Sequence, residues 1–296
     1  MKKLTSAKRL SLLAFIVLAF FIAFPVTAQK NKKNTQPTAP LMKRTTLRHE
    51  LRRLAYGGTV TLSAAPAGSI TVEGWSRSEV EVTAEIELQA PSVADLDRLL
   101  VVNNFAVDED ANHIRILTTG SHDKVFMKRV AKDFPKSLLG LPWKIDFFIK
   151  VPAMTDLVID AGNGPIKLSG VEGAIRLNAL SSVADLTLTG GSVSALVQSG
   201  AINVTIPARG WHGLGADIKL ASGNLIVDIL PGFNADIDAQ VMRAGEIKLS
   251  YPNLEPLERT RITPQSVHAR AGSGGASLRF TVGDGTIEIR PASNKQ

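Results

Sequence analysis

Between Gly164 and Ala208 the chain reads GPIKLSGVE, GAIRLNALS, SVADLTLTG, GSVSALVQS and GAINVTIPA, five cells of nine residues. Most cells open on a small residue, usually glycine, and continue with alternating apolar positions: Ile166/Leu168, Ile175/Leu177, Val193/Val197 and Ile202/Val204/Ile206. The third cell drifts in register and offers Leu186 and Leu188. Alternation at period two is the signature of a strand with one buried face. A short strand and a glycine corner, repeated, predicts a stacked β architecture in which each unit needs neighbours to cover its apolar face. The expected fold is therefore all-β, an elongated β-solenoid-like (β-helix) domain with glycine-based turns and short helical insertions.

The chain has 296 residues and opens MKKLTSAKRL, followed by SLLAFIVLAFFIAF, Pro25 and Val26-Thr27-Ala28. A basic start, an apolar stretch of about 15 residues and small residues at the end read as a secretory signal peptide cleaved after Ala28. A retained membrane anchor is the alternative, although a spanning helix needs roughly 20 apolar residues. There is no cysteine, so disulfides, thiolate metal sites and a lipid-modified cysteine are excluded.

The net charge of +7 is unevenly placed. Behind the leader, 30 basic residues face 27 acidic ones. Residues 29–53 carry Lys30, Lys32, Lys33, Lys43, Arg44, Arg48, Arg52 and Arg53 against Glu50 alone. Residues 54–296 are mildly acidic, with 22 basic and 26 acidic side chains. The 29–53 stretch is expected as a flexible basic tether that can touch an anionic envelope polymer or a membrane surface. The balance is not that of a nucleic-acid binder.

From Gly57 onward TVTLSAAPAGSITVEGW and SEVEVTAEIEL alternate, with Val80, Val82, Ala84, Ile86 and Leu88 on one face and Glu79, Glu81, Glu85 and Glu87 on the other. The four carboxylates read as a solvated strand face that discourages edge pairing, not as a metal ladder. Ser92 with Asp95 three residues later caps a helix bearing Val93, Leu96, Leu99 and Leu100. Residues 121–148 break the rhythm, mixing Phe126, Val130 and Phe134 with Lys124, Lys128, Arg129, Lys132 and Lys136. This segment is expected as an insertion with a short amphipathic helix before Pro135. It is either a flap over the β core or a basic-aromatic surface for a polyanion or membrane. After Ala208 the beat loosens through Gly215, Gly223, Gly232 and Gly245. The stretch GSGGASLRFTVGDGTIEIR is expected to close the domain with two strands, and 291–296 is a disordered tail.

GSITVEGW, IKVP, DAGNGPIKLSGVEGAIRL and VGDGTIEIR together resemble a widespread bacterial family of adhesin-like domains of unknown function. The resemblance spans roughly residues 56–290. It implies an exported β-solenoid-like domain, and it carries over no catalytic, cofactor or metal residue.

The chemistry-bearing residues are sparse. A polysaccharide-acting enzyme on this scaffold would need two carboxylates at glycosidase separation. Asp156, Asp160, Asp185, Asp217, Asp228, Asp236 and Asp238 are the candidates, with Asp236 and Asp238 on one face. Each also suits an ordinary outward or corner position. His49, His113, His122, His212 and His268 have no metal-ligand spacing, and no GxSxG, HExxH or phosphate-loop pattern occurs. Trp75, Trp143, Trp211, Tyr56 and Tyr251 are few, and of these Trp75, at a strand end, and Trp211, in the turn-like ARGWHGLG stretch, read as caps over the core end and not as ligand platforms. No catalytic, cofactor or metal site is assigned. The expectation is a non-enzymatic envelope or cell-surface protein, periplasmic, surface-bound or secreted, that binds an unknown protein or glycan. The alternatives are a polysaccharide-acting enzyme and a periplasmic envelope-stress or signalling component.

Overall fold

Two nine-residue cells make one step of parallel pairing, because β8 and β9 each pair with β10, and β10 with β11, at an offset of 18 residues. Ile175 lies opposite Leu157 on one side and Val193 on the other, and Ala184 lies opposite Ile166 and Ile202. The computed structural model describes residues 40–130, 132–257 and 261–292. The expected signal peptide, the 29–39 part of the tether and the 293–296 tail lie outside the described residues. Pro40–Gln296 is a compact unit distinct from Met1–Ala39, and it contains the whole described core.

The first strands are β1 (Met42–Arg53), β2 (Thr59–Ser63), β3 (Ile70–Trp75) and β4 (Glu79–Ala90). Helix α1 (Val93–Val102), β5 (Asn104–Asp110), β6 (His113–Thr119) and α2 (Lys124–Val130) follow. Next come β7 (Trp143–Pro152), β8 (Asp156–Asn163), β9 (Ile166–Ser169), β10 (Ala174–Thr187) and β11 (Gly190–Ile206). The chain continues through β12 (His212–Ile229), β13 (Ala235–Val241), β14 (Gly245–Leu249), β15 (Leu254–Pro256), β16 (Ser266–Ala271) and β17 (Ala276–Pro291). The helix expected behind Ser92 is α1, and the Ser92 hydroxyl accepts a hydrogen bond from the Asp95 amide at 3.2 Å. Among the described residues no helix is long and apolar enough to cross a membrane.

The protein is all-β, with one large mixed sheet that bends into two ladders. The first runs β5-β6-β2-β8-β10-β11-β12-β17-β13-β16-β15. The second runs β1-β4-β7-β3-β9-β10-β11-β12-β17-β14. The long strands β10, β11, β12 and β17 turn the corner and belong to both. Their inward residues, among them Leu177, Val197, Ile202, Leu225, Phe280 and Ile287, are buried in one continuous apolar core.

The corner is a column of small residues: Gly68, Gly164, Ser182, Gly200, Gly223, Gly285 and Gly245. At Gly223 φ is +136°, and a Cβ there would run into the carbonyl oxygen of Gly200. Glycine is required twice over, by conformation and by the close approach of backbones. Ser182 is the exception. Its hydroxyl is buried and has no hydrogen-bond partner among the described residues.

Three expectations are corrected. Residues 42–53 are not tether: they form β1, antiparallel to β4 with Met42 opposite Ala90 and Arg53 opposite Glu79. The expected 121–148 insertion ends early, because Trp143 begins β7, an interior strand between β4 and β3. The GSGGASLRFTVGDGTIEIR strand does not follow the stack in order. It is a single strand, β17, inserted between β12 and the pair β13 and β14. β2 and β3 are likewise placed between β6 and β7 on one side and β8 and β9 on the other.

Two substitutions test this packing. Ile202 is fully buried, so Ile202→Asp should cost about 4 kcal/mol or more and abolish a cooperative thermal transition. Gly223→Ala should lower stability by about 2 kcal/mol or more. Ser182→Ala, which only removes an unpaired buried hydroxyl, should leave the melting temperature unchanged or raised.

Candidate functional site

The outward residues of each ladder fall into rows one strand spacing apart, roughly 4.8 Å. On the second ladder one row reads Glu73, Ser169, Thr187, Thr205 and Asp228, and its neighbour reads Thr71, Lys167, Asp185 and Asn203. On the first ladder Arg176, Ser194, Asp217, Arg279 and Asp238 are successive register partners. These are flat faces of hydroxyls, amides and alternating charges.

The seven candidate aspartates lie on these faces or at their edges, and each is engaged. Asp156 accepts from the Ala174 amide at 2.7 Å, Asp160 from Asn178 at 2.8 Å and Asp185 from Asn203 at 2.7 Å. Lys219 donates to Asp217 at 2.8 Å, and Arg290 to Asp228 at 2.5 Å. Arg270 grips both oxygens of Asp236 at 2.7 and 3.1 Å. Arg279 stands 3.6 Å from Asp238. Asp236 and Asp238 do share a face, as the alternation indicates, but Arg270 and Arg279 stand opposite them and not a second carboxylate. The Arg270 guanidinium, hydrogen-bonded to Asp236, holds its carboxyl below the usual carboxylate range. A glycosidase acid needs the opposite shift.

β4 is not an edge strand, since it lies between β1 and β7, and two of its four glutamates, Glu81 and Glu87, meet cations from both neighbours, while Glu85 is exposed. Lys43 is 2.8 Å from Glu87, with Lys144 at 3.6 Å, and His49 is 3.3 Å and Lys150 3.6 Å from Glu81. The Lys43 hydrogen bond lowers the Glu87 pKa despite the burial that would raise it. The inner side of β1 is also charged. Arg48 donates to Asn104 Oδ1 and the Phe105 carbonyl and lies 4.2 Å over the Phe105 ring, while Arg44 donates to Asp97 of α1. The sequence carries no apolar face here that would have announced a strand.

One groove of about 510 Å³ lies at the corner of the ladders. Pro66, Asp160, Asn178, Leu180, Leu196 and Gln198 line it, and His122 from the segment before α2 reaches its rim. The His122 ring sits 5.3 Å from that of Trp143, and this packing lowers its pKa by desolvation. The expected caps are found elsewhere: Trp75 Nε1 donates to the Glu79 carbonyl at 2.7 Å and Trp211 Nε1 to the Gly191 carbonyl at 3.0 Å. The Tyr251 hydroxyl donates to the Leu230 carbonyl at 2.9 Å, and Tyr56 is 89% exposed. Among the described residues no three His, Asp or Glu side chains converge as a metal site would require.

No family profile and no curated protein matches the chain. Among solved structures it is similar to a protein of Clostridium sporogenes provisionally named as a cell adhesion protein, at 11% identity and a TM-score of 0.44, over 83% of this chain and 100% of the other. It is also similar to a provisionally named adhesin of Bacteroides fragilis, at 11% identity and a TM-score of 0.26, over 82% and 97% of the two chains. A third, from Parabacteroides merdae and named in the same provisional way, shows 9% identity and a TM-score of 0.27, over 82% and 96%. At such scores the likeness carries no functional argument.

The pairing of Asp236 has a consequence for acid stability. A carboxylate whose folded pKa is depressed stabilises the fold above its unfolded value, near 4, and that contribution is lost as pH falls through the folded value. Asp236→Asn should therefore flatten the stability-against-pH curve below about pH 4. At neutral pH the same variant should leave the fold intact. Denaturant midpoints measured across that range check both.

Proposed function

We propose that the chain is an exported, non-enzymatic envelope or cell-surface protein with a binding or scaffolding role, built as a β-solenoid-like stack. The observation that carries this reading is the set of flat polar rows, above all Glu73, Ser169, Thr187, Thr205 and Asp228 on consecutive strands. A repeating partner, an extended protein strand or a glycan chain, meets a fresh hydroxyl or amide at each step, and weak contacts add along the row. The parallel register at 18 residues supports the solenoid-like description. The leader sequence supports export. The polysaccharide-acting alternative is disfavoured because every candidate aspartate is already held by a cation, an amide side chain or a backbone N–H.

Protease treatment of intact cells, set beside fractionation, tests the location. The protein is expected to be digested from outside or released with the periplasm, and recovery in the cytoplasm would overturn export. Retention of the purified protein on isolated envelope tests the surface. Thr187→Lys with Thr205→Lys should reduce retention several-fold at an unchanged melting temperature, whereas Asp236→Asn with Asp238→Asn should not. Equal retention of all three proteins would remove the row from the reading.

A further inference from the structure

Two clusters of basic residues differ in what they contact. In β1 Lys43, Arg44, Arg48 and Arg52 are spent on the fold itself: Lys43 on Glu87, Arg44 on Asp97, and Arg48 and Arg52 on Glu50. The cations that precede β7 are different. Lys124, Lys128, Arg129, Lys132 and Lys136 are all exposed, and none forms an ion pair among the described residues. Only Asp123 and Asp133 accompany them in the segment.

The same surface shows apolar side chains to solvent. Val125 is 75% exposed in α2, on the helix face that also carries Lys128 and Arg129 three and four residues on. Val101 is 79% exposed at the end of α1, and Leu139 is exposed beyond Lys136. Arg98, Val101 and Val102 of α1 line a shallow groove of about 350 Å³ together with Lys132, Asp133, Phe134 and Pro135. Lys132 follows the end of α2 by two residues, which puts the exposed cations of α2 beside this groove in the chain. Its base is firm, because Met127 and Leu138 are buried and Phe134 packs against the core.

We infer that this α1–α2 patch docks the protein onto an anionic lipid surface. Five exposed cations supply attraction to acidic headgroups, and the protruding valines and Leu139 enter the interface between headgroups and acyl chains. A soluble polyanion would use the cations and have no use for the apolar side chains. A second copy of the same patch would set the cations against one another. The role expected of the basic tether is thereby carried by a different segment.

Sedimentation of the Pro40–Gln296 unit with vesicles tests the inference. The unit should sediment with equimolar phosphatidylglycerol and phosphatidylcholine, and not with phosphatidylcholine alone. Lys128→Glu, Arg129→Glu and Lys132→Glu together should cut binding by about tenfold or more. Lys167→Glu, Arg176→Glu and Arg209→Glu, the same change of charge elsewhere, should leave it within about twofold, since the attraction decays within a Debye length. Val101→Ser with Val125→Ser should weaken it several-fold at an unchanged melting temperature. No sedimentation with acidic vesicles would overturn the proposal, as would equal losses from both triple variants. Binding indifferent to the valines and abolished by dextran sulfate would also overturn it, and would make the patch a polyanion site.

Discussion

The corner between the two ladders is backbone laid on backbone, and the rest of the structure depends on it. At Gly200, Gly223, Gly285 and Gly245 the chain turns from one ladder to the next with no side chain between successive levels. Strands in both ladders can then keep the same spacing, since a Cβ at any of these four glycines would run into the backbone of the adjacent strand. The long strands β10, β11, β12 and β17 accordingly pair in parallel on both sides of the corner. The apolar core follows in turn: with the levels fixed, Ile202, Val204 and Ile206 are held opposite Leu225, Val227 and Ile229.

Charge closes the end of the second ladder that hydrophobic residues leave open. Two apolar strands at an edge would invite another chain to pair. Here the outermost strand, β1, turns arginines toward α1 and β5 and lysine and histidine toward the acids of β4. Individually such partly exposed pairs contribute little. Together they fix the register of a strand that has no buried side chain of its own. The glutamates at alternate positions of β4 and the basic run of β1 are two halves of one arrangement.

The nine-residue cell was legible because it is written in glycine positions and apolar alternation, both local in the chain. The stacking order was not, because β17 and the β2–β3 pair are placed by long-range pairing, and an apolar strand looks the same whichever neighbours it takes. β1 escaped because a strand whose two faces are both charged has no apolar period, so composition alone made Lys43–Arg53 look like a solvated arm. The candidate aspartates could be located from sequence, and the shared face of Asp236 and Asp238 was foreseen. Their partners could not be, since Arg270 lies 34 positions from Asp236 and reaches it through an antiparallel neighbour strand. The basic segment at 124–136 stood out by composition. That its cations form no ion pairs among the described residues, while Lys43, Arg44, Arg48 and Arg52 of β1 do, is a property of three-dimensional arrangement alone.

The placement of β17 bears on how the molecule is assembled. It is synthesised after β13, β14, β15 and β16, yet it lies between β12 and the pair β13 and β14, with parallel partners on both sides. The last level of the stack therefore has nothing to rest on until this strand arrives. A nascent chain can lay down β8 through β12 in order, while the following hairpins wait as an unattached lobe. Such delayed closure makes the C-terminal strand, and not the repeat at the centre of the chain, the element that completes the fold.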